Sequence, residues 1–105
     1  MLAKKIEPIH PGEILEEEFL DPLNISRTLL AKAISVSSKT ISELLSKKRS
    51  LNADLALRFS RFFKNSPQFW MGLQMEFDLA SGENKVNLEK KLRNIKTYLH
   101  YTKAA

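Results

Sequence analysis

Residues 26–49 read SRTLLAKAISVSSKTISELLSKKR, two short helices joined by a tight turn. Ser26 suits the N-cap of the first, because a serine oxygen accepts from a free backbone N–H at a helix start. Leu29, Leu30, Ala33 and Ile34 follow at helical spacing, and the spacing predicts that they point inward. Ser35-Val36 breaks the pattern, and Ser37 caps a second helix, Ser37 to Ser46, whose inner face is Ile41, Leu44 and Leu45. Ala31 is small where the second helix crosses the first. The outer face of that helix is Ser38, Lys39, Thr40, Ser42 and Glu43, short and polar. Such a composition suits a helix that enters a DNA major groove.

Charge along the chain agrees. The 105 residues carry a formal net charge of +5 and a sequence pI near 9.6, a balance that favours a polyanionic partner. Ser26 to Lys64 holds nine Lys or Arg against Glu43 and Asp54, whereas Glu7 to Asp21 holds six acids and no Lys or Arg. Cations therefore gather around the helix pair. The length fits one domain that buries a core without staples. With no cysteine there is neither a disulfide nor a thiolate metal site, and no metal or cofactor is expected. No apolar run resembles a signal peptide or a membrane span, so a cytoplasmic protein without membrane association is expected.

Outward from the pair, residues 1–9 read as an extended lead-in. His10-Pro11-Gly12-Glu13 opens a helix, with proline preset for the first turn and an acid suited to the helix dipole. His10 itself helps the start of that helix. Ile14, Leu15, Phe19 and Leu20 face inward, Glu16, Glu17 and Glu18 face water, and Pro22 ends the helix. After the basic loop Lys47-Lys48-Arg49-Ser50, a fourth helix starts at Asn52 or Asp54 and carries Leu55, Ala56, Phe59, Phe62 and Phe63. Ser66 caps a fifth, with Pro67 at its first position and Phe69, Trp70, Leu73 and Phe77 along it. Ser81-Gly82 breaks the chain. A single last helix follows, with Val86, Leu88, Leu92, Ile95 and Leu99 among basic residues. The expectation is all-α: a compact five-helix domain over 10–80 and a helical extension over 81–105.

Base contacts are expected from Ser38, Lys39, Thr40, Ser42 and Glu43. Lysine donates to guanine, serine and threonine serve several bases, and an ionised glutamate accepts from a cytosine amino group. Phosphate contacts fall to Ser26, Arg27, Ser37, Ser46, Lys47, Lys48 and Arg49, which set position rather than sequence. Arg58 is read as an ion-pair partner of Glu13, Glu16 or Glu17, with a DNA contact as the alternative. Phe69, Trp70, Leu73 and Phe77 are assigned to a homodimer contact, since a small domain hides few large aromatics and interface centres are rich in them. The last helix is open to three roles: packing on the domain, extending the dimer or holding a partner. An enzyme is not expected. His10 and His100 lie at opposite ends, and Glu16, Glu17 and Glu18 splay around a helix instead of converging.

His10-Pro11-Gly12-Glu13-Ile14-Leu15, Leu30-Ala31, Val36-Ser37, Thr40-Ile41-Ser42, Leu45, Lys48-Arg49, Ala53 to Arg58, and Ser66-Pro67-Gln68-Phe69-Trp70 with Leu73-Gln74 resemble the HigA- or VapI-type antitoxins. These are compact members of the phage-repressor-like Xre helix-turn-helix superfamily. The resemblance spans residues 10 to 80. It implies a five-helix domain that dimerises, binds a palindromic operator on double-stranded DNA, represses its own operon and neutralises a toxin protein that degrades mRNA. The alternatives are a free-standing Xre-type regulator without a toxin, and an interaction module that has lost DNA binding. Two departures stand out. The family usually has glycine where Ser35 stands and often where Lys47 stands. Glycine permits a left-handed backbone that costs other residues about 1–2 kcal/mol.

Overall fold

The computed structural model describes residues 8–81 and 85–103. Its first helix, α1, is one continuous rod in three parts: an α turn Pro11–Ile14, a π-helical stretch Leu15–Leu20 and a last α turn Asp21–Leu23. His10 is its N-cap, and its Nδ1 accepts from the Gly12 N–H at 2.9 Å. In the π stretch the Asp21 N–H reaches back five residues to the Glu16 carbonyl. This widened turn gives the Pro22 ring room that a tight α turn denies it. The expected stop at Pro22 is therefore displaced. The helix runs on to Leu23 and ends at Asn24, whose φ of 58° is left-handed, a conformation that asparagine tolerates.

Helix α2 (Arg27–Ala33) and helix α3 (Ser38–Leu45) form the pair read from the sequence. Ser26 Oγ accepts from the Leu29 N–H at 3.0 Å and Ser37 Oγ from the Thr40 N–H at 3.1 Å, so each start is capped as expected. One face differs. Leu30, Ala31 and Ile34 are buried, but Leu29 and Ala33 lie in water. Ala31 is buried instead, and its carbonyl accepts from Val36 at 2.9 Å. That turns the inner stripe of α2 by one residue from the expected one.

Helix α4 (Ala53–Phe63) starts from Asn52, the first of the two expected caps, whose Oδ1 accepts from Leu55 at 2.9 Å. Helix α5 (Pro67–Ala80) starts from Ser66 in the same way. It packs on α4, while α1 packs on both α3 and α5. Their common core is Leu15, Leu20, Leu30, Ile41, Leu44, Leu55, Ala56, Phe59 and Trp70 with Ala31, Ile34, Leu45 and Leu51. Trp70 is its centre. Phe19, Phe59 and Phe69 stand 4.9–5.1 Å from its ring, and its indole N–H donates to Asn65 at 2.9 Å, so a large polar-tipped side chain is buried with its donor satisfied.

The expected single C-terminal helix is two: α6 (Lys85–Arg93) and α7 (Tyr98–Lys103). The break falls at Asn94–Thr97, where asparagine, isoleucine and threonine are weak helix formers. Leu88, Leu92, Ile95 and Leu99 are all more than half exposed, so no packed face overrides that weakness. The lead-in residues 1–7, Gly82 and the side chain of Val86 lie outside the described residues. No strand occurs among the described residues, and no described helix is long and apolar enough to cross a membrane.

Candidate nucleic-acid interface

Helix α3 is held from inside and bare outside. Ile41 and Leu44 are fully buried and Leu45 nearly so, fixing one face against α1 and α2. At Gly12 the first turn of α1 meets the end of α3 without a side chain between them. A Cβ there would stand 2.0 Å from the Leu44 carbonyl oxygen. On the outer face Ser38 and Lys39 are exposed, and Thr40, Ser42 and Glu43 are partly so. The Lys39 side chain is 80% exposed, free to extend toward a ligand. Thr40 Oγ1 is 2.9 Å from Ser37 Oγ, a second link across the cap.

Glu43 is the hub of the outer surface. Its Oε1 accepts from Arg49 Nε at 3.1 Å and Nη2 at 2.7 Å, and its Oε2 lies 3.9 Å from Lys39 Nζ. Arg49 thereby ties the basic loop to the exposed face of α3. Ser46 donates to the Glu43 carbonyl at 3.2 Å. Lys47 has φ 68° and Ser35 φ 61°, so both departures from glycine adopt the left-handed conformation at its cost. Lys47 Nζ lies 3.5 Å from Glu13, and Arg27 lies 3.6 Å from Glu16. Lys48 is exposed. Exposed ion pairs of this kind contribute little, about 0–1 kcal/mol, so phosphates can replace these carboxylates at small cost.

Ser26, Ser37 and Ser46 spend their hydroxyls on the backbone, and the two caps leave the N–H groups of the first helical residues unpaired and facing outward. The four α5 residues expected at a dimer contact divide: Trp70 is fully buried in the core and has no surface to offer a partner, Leu73 and Phe77 are half-buried, and Phe69 is 41% exposed. Among the described residues no group of His, Cys, Asp and Glu could hold a metal ion.

Three residues carry contacts that the sequence did not reveal. Arg58 pairs with Asp54, Nε to Oδ1 at 2.9 Å, rather than with Glu13, Glu16 or Glu17. Its Nη1 donates to the carbonyls of Ile34 at 2.7 Å and Ser35 at 3.3 Å. The i,i+4 spacing of Asp54 and Arg58 was the available signal. Gln74 is buried; it accepts from the Leu51 N–H at 2.6 Å and donates to Asp78 at 2.9 Å, anchoring the far end of the basic loop to α5. Nothing in the local pattern marks it. His10 is 3% exposed and edge-on to Phe77 at 4.8 Å. Burial holds its imidazole below the usual range; a hydrogen bond involving the Arg49 backbone opposes this and Lys47 reinforces it.

The helix-turn-helix family HTH_3 matches residues 17–70, which span α2, α3 and α4. Virulence-associated protein I of Dichelobacter nodosus is 45% identical over 75 residues, 71% of this chain and 69% of that protein. Antitoxin HigA-1 of Vibrio cholerae is 34% identical over 91 residues, 87% of this chain and 86% of that one. The structure of Pseudomonas aeruginosa antitoxin HigA with higBA promoter superposes with a TM-score of 0.78 at 42% identity, covering 86% of this chain and 97% of that chain. With its capped helix pair inside the matched segment, the chain belongs to the HigA/VapI-type antitoxins of the Xre helix-turn-helix family.

Proposed function

We propose that this protein is a DNA-binding antitoxin: a homodimer that reads a palindromic operator with α3, represses its own operon and neutralises a partner toxin that cleaves mRNA. The observation that carries the reading is α3 itself, serine-capped, seated on Ile41, Leu44 and Leu45, with Ser38 and Lys39 bare. Ser38, Lys39, Thr40 and Ser42 meet base edges, and Glu43 adds a carboxylate oxygen as Arg49 turns to a phosphate. Arg27, Lys47, Lys48 and Arg49 take phosphates, helped by the backbone N–H groups at the helix starts that Ser26 and Ser37 cap; Ser46, at the C-terminal end of α3 with its hydroxyl and N–H both paired, adds none. The homodimer forms through α5, by Phe69, Leu73 and Phe77, with Trp70 bracing the helix from the core. Two copies of α3 then lie about 34 Å apart, one DNA turn. The protein works in the cytoplasm by binding rather than catalysis: His10 is spent as a helix cap, and His100 meets Tyr101 edge to face in α7.

The test joins footprinting of the protein's own promoter with co-purification of the neighbouring gene product. Protection of an inverted repeat together with a co-purifying RNase supports the whole reading. Protection without a partner makes the chain a free-standing regulator. No protection at any salt concentration overturns the operator reading.

A further inference from the structure

The operator reading leaves Arg58 without a role, because its half-exposed guanidinium is already held by the protein's own oxygens. Nη1 reaches two consecutive carbonyls, Ile34 and Ser35, at 2.7 and 3.3 Å, while Asp54 holds Nε at 2.9 Å. Those carbonyls form the turn between α2 and α3. Ser35 sits there in a left-handed conformation, φ 61°, that a residue with a Cβ resists. Two residues later Ser37 caps the reading helix. We propose that Arg58 is a positioning residue: a strap from α4 that locks the strained turn and so sets the angle at which α3 meets the bases. The inference rests on the operator reading and adds to it a residue that touches no DNA. A charge-assisted donor shared between two turn carbonyls holds them more firmly than a neutral one.

The experiment compares wild type, Arg58→Met and Asp54→Asn on three counts: affinity for operator DNA, affinity for a scrambled duplex, and salt dependence of each. Methionine keeps an apolar stem and removes every donor. Asparagine keeps the fold and loosens only the Nε anchor, so it decides the matter if Arg58→Met fails to fold. The expected result is a preference for operator over scrambled DNA that falls about tenfold in Arg58→Met and two- to threefold in Asp54→Asn, with an unchanged salt slope. A slope reduced by about one with equal losses on both duplexes marks a direct phosphate contact and overturns the proposal. A lower melting temperature with an unchanged preference marks a merely stabilising role and also overturns it. If wild type itself shows no preference, the operator reading fails first, and that failure is separately visible.

Discussion

Gly12→Ala is the sharpest probe of how α1 supports α3. The added methyl would lie 2.0 Å from the Leu44 carbonyl oxygen, 2.8 Å from its carbonyl carbon and 3.1 Å from the Leu45 Cα. All three are backbone atoms, so no side-chain rotation relieves the overlap. Reaching ordinary contact at 3.4 Å requires α1 and α3 to part by about 1.4 Å, and close-packed interiors resist such shifts. Overpacking of this kind costs up to about 3 kcal/mol, and the better helix propensity of alanine offsets about 0.5–1 kcal/mol. A net loss of about 2 kcal/mol is expected, or a melting temperature about 8–16 °C lower for a domain of this size. Trp70, the chain's single tryptophan and fully buried, reports the transition by fluorescence in a urea titration. Because the displaced atoms belong to α3, operator affinity falls as well. A variant within about 0.5 kcal/mol of wild type would refute the close contact between α1 and α3.

Other perturbations separate the parts of the surface. Gly72→Ala meets nothing within 4 Å and lies inside α5, so urea melts should show a gain of about 0.5–1 kcal/mol. Lys39→Ala should weaken operator binding by about 1–3 kcal/mol and relax preference at one base position, read from a panel of substituted duplexes. Lys48→Ala should weaken all duplexes alike and flatten the salt dependence by about one. His10 is held below its ordinary 6.5 by burial. The unfolded chain therefore takes up a proton near that pH while the folded chain does not. Its contribution to stability is full above 6.5 and declines as pH drops below it, until the folded imidazole also protonates. His10→Asn keeps an acceptor for the Gly12 N–H and should remove this slope from melting temperatures measured between pH 7 and 5.

Capping chemistry made much of the fold legible. Ser26, Ser37, Asn52 and Ser66 each accept from the backbone three residues on, a relation carried by adjacent residues and hence readable without tertiary information. The inner face of α3 was legible for a similar reason, since three apolar residues leave one way to bury them. Leu29 and Ala33 point outward because α2 is only two turns long, and its rotation is set by the packing of its neighbours, which buries Ala31 instead. Pro22 misled because local rules treat proline as a stop, whereas a π-helical turn upstream accommodates it. Arg58 and Gln74 escaped because their partners, Ile34 and Leu51, lie more than twenty positions away. Contacts of that kind belong to the assembled fold, not to any window of sequence. The break in the C-terminal stretch at Asn94–Thr97 shows periodicity outrunning support, for an apolar stripe makes one helix only where something covers it.

The carboxylates beside the basic loop carry one more consequence. Glu13, Glu16 and Glu43 already occupy the places at Lys47, Arg27 and Arg49 that nucleic-acid oxygens would take. On the proposed surface, docking is then an exchange of anions, with the protein's own acids acting as tethered competitors. Random duplexes offering a few loosely aligned oxygens displace them poorly and are released quickly. A duplex that fits the whole surface evicts all three together, so these acids sharpen the choice of target, Glu13 and Glu16 without touching a base.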